Sequence, residues 1–500
     1  MIPGTCLRAL ALALALALAI PVLVAGCASS RDIAPRTRLD AVAAPALTGA
    51  PVSLSDTWWT ELGDPQLDRL VEQALTGNPS LRLAQSRLDR ARAVLEVADA
   101  ALLPQVNASA EATHQRYTAR GMVPAALAGT VSTSGTVQLS GGWEIDFFGR
   151  YAQALEAALG AARAAHADAQ AARALLASSV VRAYLHAARL QGQLEVAQRA
   201  LAQREHALQL VQDRFAAGLD SRLELRQSES AVPEARQQIE ALSEQAVLAR
   251  NAMTALLGQP LAEPFTQLPS LAVLKPLPVA ADIPADLLGR RADVAAARWR
   301  AEALAHEVGS ARAAFYPNVN LAAFVGLSSI GLNNLLDSGA RQWGVTPAIR
   351  LPIFDAGRLR ANLRAKAADL DAAVEVYNGA VIDAVREVAD QLASGRGVAR
   401  QLAEQRLAQQ GAQAAYDIAL HRYQGGVGNY LQVLAAENAV LAQRRLNVDL
   451  AARALDAQVG LAHALGGGWR PAPATSERVR LADRSTESTS DSSALRPPAP

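Results

Sequence analysis

The stretch Trp143-Glu-Ile-Asp-Phe-Phe-Gly-Arg150 has a counterpart in Leu351-Pro-Ile-Phe-Asp-Ala-Gly-Arg358, which lies 208 residues further along the chain. Other segments recur at the same offset: Phe215-Ala-Ala-Gly218 as Tyr423-Gln-Gly-Gly426, and Leu257-Gly258 as Leu465-Gly466. Upstream, Leu103-Pro104 recurs as Tyr316-Pro317 at an offset of 213, so one loop is five residues shorter in the second copy. Such fixed offsets indicate that one unit, from Thr76 to about Gly466, was duplicated with its geometry kept. Catalysis rarely requires such a duplication, whereas a symmetric shell does.

Each copy is predicted to fold as a helix, two strands, a long helix and a returning helix. The helices are predicted at 79–103 and 292–316, at 150–216 and 358–424, and at 221–257 and 429–465. The first helix of each copy is expected to stop before Pro104 or Pro317, because proline cannot continue a helix. Gly149-Arg150 and Gly357-Arg358 are expected to form sharp turns from strand into long helix, since glycine permits them.

The strands are predicted from apolar residues at alternate positions, which give each strand one apolar face. These residues are Val137, Leu139, Trp143, Ile145 and Phe147 in the first copy, and Leu321, Ala323, Val325, Val345, Pro347, Ile349 and Leu351 in the second. Trp143 and Phe147 are expected to face lipid or the rim of a barrel. Four strands cannot close a barrel, and open sheet edges are not tolerated in lipid, so we expect oligomerisation. Three chains would supply twelve strands, but the strand count alone does not establish that the oligomer has three chains.

The first long helix carries a heptad pattern that predicts supercoiling with partner helices. Its seam consists of Leu176, Val180, Ala183, Ala187, Leu190, Leu194, Ala197 and Leu201. At ~1.5 Å per residue, this helix is on the order of 100 Å long. The two shorter helices of a copy together nearly match that length, so we expect them to stack end to end beside it.

The first residues of the chain indicate export. Arg8 precedes an apolar run from Ala9 to Val24, and small residues then lead to Cys27. This order predicts a secretory signal peptide over 1–26, and the apolar run is short for a spanning helix. The residues before Cys27 resemble a bacterial lipobox, which implies cleavage before Cys27 and diacylation of its thiol. Ala28 is compatible with the outer membrane. The alternative is an ordinary signal or membrane anchor with a chance cysteine.

The composition argues against several classes of site. The net charge of +1 gives no argument for nucleic acid binding. Cys6 leaves with the signal peptide and Cys27 is lipidated, so neither a disulfide nor a thiolate metal site is expected. The seven histidines are scattered without metal-ligand spacing, and Gly425–Gly428 lacks the context of a phosphate loop. No nucleophile elbow is present, so we expect no enzyme activity, no metal and no cofactor.

Three groups of motifs resemble the TolC-like outer membrane factor family, specifically its outer-membrane efflux lipoproteins (the NodT group). Trp58-Trp59 with Asp64-Pro65-Gln-Leu67 resembles the family's entry motif. The duplicated stretch quoted above resembles its two strand-to-helix signatures, and Arg422-Tyr423-Gln-Gly-Gly-Val-Gly-Asn-Tyr-Leu431 resembles its periplasmic tip. The likeness covers roughly residues 50–470.

The resemblance implies an α+β membrane protein in which a long α-helical coiled-coil tunnel through the periplasm joins a β-barrel in the outer membrane. The barrel is completed by a homotrimer with four strands per chain, and each chain is built from two tandem repeats. The expected division of the chain is a signal peptide (1–26), a lipidated tether (27–56), an equatorial segment (57–78), repeat 1 (79–258), a linker (259–290), repeat 2 (291–466) and a disordered C-terminal tail (467–500).

The chain departs from the family pattern in three places. The second repeat begins Arg291-Ala292-Asp293 where the family has Arg-Pro-Asp, which weakens a turn signal. Gln432 and Ala435 occupy the positions where family members carry an acidic residue that rings the closed pore. Whether a gate is acidic therefore rests on Glu224, which lies 208 residues before Gln432. Pro233 is expected to interrupt the returning helix with a kink.

The resemblance assigns sites to the turns between long and returning helices. Gly218, Leu219, Gly426 and Val427 are the implied docking points for a periplasmic adaptor. Leu431 has two interpretations, as core beneath the turn or as one third of an apolar ring that closes the pore. Asp220, Arg222 and Glu224 are either plain surface charges or a charged lock between neighbouring tips.

The leading hypothesis is a passive exit duct in the outer membrane for drugs or small molecules. Export would be driven by an inner-membrane pump, most simply of the resistance-nodulation-division type, that connects through the adaptor. One alternative is the same channel serving type I protein secretion. A second alternative, of another class, is a structural periplasmic coiled-coil lipoprotein, which would explain the heptads but not the strands.

Overall fold

The structure is a computed structural model that describes residues 32–37, 54–260, 268–277 and 287–469. The predicted signal peptide, the lipidation site Cys27 and most of the C-terminal tail lie outside the described residues.

The helices confirm the duplication, since the members of each pair have equal length. After a helix α1 at Pro65–Gly77, the pairs are α2 (Pro79–Ala100) with α5 (Ala292–Ala313), α3 (Arg150–Ala216) with α6 (Arg358–Gln424), and α4 (Arg222–Leu256) with α7 (Tyr430–Ala464). These pairs have 22, 67 and 35 residues per member, respectively. No helix of the described residues combines the length and the apolar character that crossing a membrane requires.

Two predicted helix features are wrong in detail. Helices α2 and α5 each end three residues earlier than predicted. Residues that approach a proline disfavour the helical conformation, and the chain turns before Pro104 and Pro317. The interruption predicted at Pro233 is wrong, because α4 continues through it from Arg222 to Leu256, and the kink predicted there stays a prediction. The neighbouring Ala231, Val232 and Ala235 are buried, so packing holds this segment helical despite the lost hydrogen bond.

The strands form one antiparallel sheet in the order β1-β2-β3-β4. Their bounds are Gln105–Arg116, Val131–Ile145, Asn318–Ile330 and Arg341–Arg350. The hairpins of the two repeats therefore pair through β2 and β3, and β1 and β4 are the edges within this chain. The predicted apolar alternation is confirmed, with Leu139 opposite Val325 and Val325 opposite Trp343 on one face. Phe147 and Leu351 lie beyond the strand ends, contrary to prediction.

The chain divides into two compact units, and each takes segments from both repeats. The first unit comprises 1–41, 86–166 and 296–379, and it holds the sheet. In it, α3 and α5 approach so closely that a side chain at Gly160 would meet Ala303 at 2.9 Å. Helices α5 and α6 are joined by Lys366, whose Nζ lies 2.6 Å from a Glu307 carboxylate oxygen.

The second unit comprises 42–85, 167–295 and 380–500. Its core contains the predicted seam, of which Val180, Ala187 and Leu190 are fully buried. The returning helices meet the first helices end to end, as predicted. In repeat 1, the Asn78 amide before α2 donates a 2.7 Å hydrogen bond to the Leu256 carbonyl at the end of α4. In repeat 2, Arg291 before α5 donates a 3.3 Å bond to the Ala464 carbonyl at the end of α7.

Candidate functional site

The turns between long and returning helices have the same backbone geometry in both repeats. Gly218 and Gly426 have φ of 77° and 75°, in the left-handed region that favours glycine. After each glycine, a backbone N–H reaches back to the helix: Leu219 to the Arg214 carbonyl, and Val427 to the Arg422 carbonyl, both at 2.9 Å. This pattern is a Schellman motif, which satisfies the last carbonyls of α3 and α6. The sequence predicted these two reversals because both glycines lie at the 208-residue offset.

The helices that leave these turns begin with side-chain caps. The Ser221 hydroxyl accepts a 3.1 Å bond from the Leu223 N–H, and the Glu224 carboxylate accepts a 3.0 Å bond from the Ser221 N–H. Together they form a capping box at the start of α4. Hydrogen bonding to the Ser221 side chain holds the pKa of Glu224 below its ordinary value. Asn429 caps α7 alone, through a 3.0 Å bond from the Gln432 N–H.

Asp220 is part of a buried lock that joins the two repeats within one chain. Its side chain is only 6% exposed, and the Arg214 guanidinium lies 3.1 Å from its carboxylate. The Tyr423 hydroxyl, from α6, donates to the same carboxylate. The Arg214 guanidinium carbon also lies 4.5 Å from the centre of the Tyr423 ring. Burial, together with this bond, raises the pKa of Tyr423. Of the two interpretations of Asp220, the plain surface charge is therefore wrong.

The second repeat has no equivalent lock. Arg422 is the counterpart of Arg214, but the counterpart of Asp220 is Gly428. Arg422 instead donates a 3.4 Å bond to the Val427 carbonyl and is exposed. Arg222 is also exposed. Sequence reasoning missed Tyr423 as a partner of Asp220, because contacts between repeats leave no trace in the offset. It also missed Arg214, although that residue lies only six positions before Asp220.

A polar layer lies beneath the lock, below a cluster that packs Tyr423 against Tyr430 with ring centres 5.7 Å apart. Glu437 of α7 is buried there, and the side chain of Arg204 of α3 is only 10% exposed, with 3.3 Å between their charged groups. Arg204 also donates a 3.0 Å bond to the Ala231 carbonyl of α4. Desolvation by burial raises the pKa of Glu437, although Arg204 opposes the shift. The pair connects three helices next to the turns.

Four aliphatic side chains are exposed at the turns, in two repeat-related pairs. Leu219 and Val427 are 67% and 70% exposed, and Leu223 and Leu431 are 62% and 57% exposed. Leu431 therefore does not pack as core beneath the turn. Sequence reasoning missed Leu223, although the offset of 208 from Leu431 would have identified it.

The strand-to-helix turns also have the predicted backbone. Gly149 and Gly357 have φ of 73° and 86°. Asp146 accepts a 2.7 Å bond from the Ala152 N–H, and Asp355 accepts a 2.8 Å bond from the Leu359 N–H, so both helix starts are capped by carboxylates. Ala356 has φ of 54°, a conformation that no sequence pattern predicted. The described residues contain no cluster of His, Cys, Asp and Glu suited to a metal ion.

Comparisons with known proteins agree on one family. The sequence profile of the "Outer membrane efflux protein" family matches residues 70–259 and 283–467. The "Toluene efflux pump outer membrane protein TtgF" of Pseudomonas putida is 37% identical over 414 residues, which cover 82% of this chain and 85% of that protein. The "Outer membrane protein OprJ" of Pseudomonas aeruginosa is 34% identical over 423 residues, or 84% and 88% of the two chains. The crystal structure of the outer membrane protein VceC from Vibrio cholerae superposes with a TM-score of 0.79 at 36% identity, covering 83% of this chain and 99% of that one.

Proposed function

The chain belongs to the outer membrane efflux protein family, and from this premise we propose that it is the outer-membrane channel subunit of a tripartite efflux system. It provides a passive exit duct for small molecules. An inner-membrane pump of the resistance-nodulation-division type, with a periplasmic adaptor, delivers them. The pump supplies the energy, and the chain itself performs no catalysis.

The observation that carries this proposal is the duplicated chain with its open sheet. β1 and β4 are edges within the described chain, and an unpaired edge is costly in lipid. Three chains that pair β4 of one with β1 of the next remove every edge and give a twelve-stranded barrel. The apolar residues at alternate positions, such as Val325 and Ile349, then face lipid, and the intervening polar residues face the lumen. The interpretation as a structural coiled-coil lipoprotein is wrong, since it does not account for the four-stranded sheet.

We further propose that the turns at Gly218 and Gly426 are the adaptor-facing tips. Leu219 and Val427 are exposed there at equivalent positions, so a trimer presents six similar apolar contacts. Exposed aliphatic residues are the kind of surface that a protein partner covers.

The pore gate belongs to the same tips in this proposal. Leu431, joined by Leu223, supplies apolar contacts between chains, Arg222 supplies an exposed charge and Glu224 supplies a half-buried one. Asp220 acts from within the chain, because its lock with Arg214 and Tyr423 ties the tip of repeat 1 to α6. Lipidation of Cys27 adds an anchor to the same membrane.

Two measurements test the channel function. A strain that lacks the gene should accumulate pump substrates, toluene and antibiotics among them, and the intact gene should restore efflux. Purified protein should form pores in planar bilayers. Normal efflux in the deletion strain, together with an absence of conductance, would refute the proposal. Export of a protein in place of small molecules would instead support the secretion channel.

A further inference from the structure

A polar cleft lies in the first compact unit, where β2 and β4 lead into α3 and α6. Its volume is about 330 Å³, and its lining includes Glu144, Asp146, Asn318, Arg350 and Arg358. Asn318 and Arg350 are direct partners across the β3–β4 ladder, and the next pair, Val319 with Ile349, belongs to the apolar face. Because successive strand residues point to opposite faces, Asn318 and Arg350 lie on the polar face of the sheet.

The acidic groups of this cleft already have partners. Glu144 lies 3.7 Å from the Arg150 guanidinium and accepts a 3.0 Å bond from the Tyr151 hydroxyl. Asp146 caps α3, as described above. The nearby Asp355 accepts bonds from two backbone N–H groups at the start of α6. Among the described residues, none of these three carboxylates forms a hydrogen bond or an ion pair with the Arg350 or Arg358 guanidinium.

The two arginines of the second repeat have no such partner. Within the residues that the structure describes, neither the Arg350 nor the Arg358 guanidinium has a hydrogen bond or an ion pair, and both residues are exposed. Comparison with the first repeat explains why these two side chains lack partners. Arg358 is the counterpart of the paired Arg150, but the counterpart of Glu144 is Pro352. The counterpart of Arg350 is Gly142, so the second repeat lost an acid and gained a guanidinium.

We propose that Arg350 and Arg358 form an oxyanion site that binds a carboxylate or phosphate group of the exported solute. The site rests on the proposed channel function, because the polar face of the sheet lines the lumen only in the closed trimer. A guanidinium offers two parallel N–H donors that match the oxygens of either anion, and the Asn318 amide adds a donor beside Arg350. The trimer then carries three such sites, one in the cleft of each chain, where Glu144 is already paired with Arg150. The exported solutes therefore include anionic ones.

The test uses purified wild-type trimers in planar bilayers, with inorganic phosphate as the probe. Phosphate should reduce the chloride current by occupying the site. In Arg350→Gln and in Arg358→Gln, the phosphate concentration for half-reduction should rise roughly tenfold, the loss expected for a charge-assisted hydrogen bond. Arg341→Gln is the matched control, because it removes the same charge from the opposite end of β4. It should leave the phosphate response within about twofold of wild type.

Three results would overturn the inference. An unchanged phosphate response in both variants would show that the arginines do not bind the anion. Equal losses of phosphate sensitivity in all three variants would show that the effect comes from the overall positive charge of the channel and not from a specific site. Lower heat resistance of the trimers with an unaltered phosphate response would show that Arg350 and Arg358 pair with a carboxylate of the neighbouring chain. Trimers without conductance would refute the channel itself, and calorimetric titration of the same trimers with phosphate would still decide whether the site exists.

Discussion

At the turns, Glu224 combines two roles that can be measured separately. Glu224 is half-buried and charged, and in addition to its proposed place at the pore it completes the capping box of α4. A change in channel behaviour after its removal therefore has two possible causes, a lost charge and a frayed helix. A pair of substitutions distinguishes them.

Glu224→Gln should change cation preference and leave stability intact, because glutamine also completes a capping box. Glu224→Ala should lower the free energy of unfolding by about 1 kcal/mol as well. Reversal potentials in a salt gradient and heat dissociation of the trimer measure the two effects. Unchanged selectivity in both variants would remove Glu224 from the gate.

Asp371 fixes part of the predicted N-terminal tether. It accepts bonds from the Arg36 N–H at 2.8 Å, the Thr37 N–H at 3.0 Å and the Thr37 hydroxyl at 2.8 Å. Ile33 is buried beside Val308 and Leu363 in the same unit. The tether predicted over 27–56 is therefore held against α5 and α6 at this point.

Asp371→Ala removes the acceptor oxygen, so it should release this segment and accelerate tryptic cleavage after Arg36 severalfold. Asp369→Ala, on the same helix, is the control and should have no effect. The bond from the Thr37 backbone is the main cause that lowers the pKa of Asp371. Attachment should therefore be complete above the ordinary value of about 3.9 and weaken as the pH falls through the lowered folded value. Equal cleavage of both variants would show that Ile33 alone holds the segment.

At the scale of elements, α3 and α6 have equal length but unequal composition. Helix α6 is continuous but contains four glycines, Gly379, Gly395, Gly397 and Gly411. A side chain added at Gly411 would meet no atom of this chain, whereas one at Gly160 of α3 would press against Ala303 at 2.9 Å. The same residue type therefore has opposite roles in the two helices, close packing in α3 and weaker helix propensity in α6.

Gly411→Ala should raise the free energy of unfolding by about 0.5–1 kcal/mol, because it removes backbone entropy from the unfolded chain. Gly160→Ala should lower it by about 1–3 kcal/mol through overpacking. Denaturant titration of the purified protein measures both values. A loss of stability in Gly411→Ala would indicate that a neighbouring chain packs against that glycine.

Elements that local sequence determines could be predicted, whereas contacts that depend on tertiary packing could not. The offset of 208 and the caps are local, so the bounds of α3 and α6 were predicted to the residue. The Asp220 lock was not, because Arg214 and Tyr423 come from different repeats and only tertiary packing unites them. Pro233 shows the same limit, since buried neighbours override a local helix breaker. The left-handed Ala356 has no sequence signal at all.

In the whole molecule, the lock formed by Asp220, Arg214 and Tyr423 connects the two repeats at the proposed periplasmic tip. Tyr423→Phe removes the hydroxyl that binds Asp220 and should cost about 1 kcal/mol. If the lock holds the closed state, single-channel conductance or open probability should rise. Tyr416→Phe, a half-buried tyrosine on the same helix, is the control. An unaltered channel in Tyr423→Phe would assign the lock to folding alone.

The central claim is that three chains close the sheet by pairing β4 of one with β1 of the next. Cys6 and Cys27 are the only native cysteines, so a cysteine scan has little background. Ala110→Cys on β1 can be combined in turn with Val345→Cys, Pro347→Cys or Ile349→Cys on β4, which lie on the same apolar face of the sheet, to cover neighbouring registers. After oxidation of outer-membrane fractions, we expect one combination to give covalent species that stop at three chains. Cross-linking that stops at two chains, that continues into larger ladders, or that fails in every combination would contradict it.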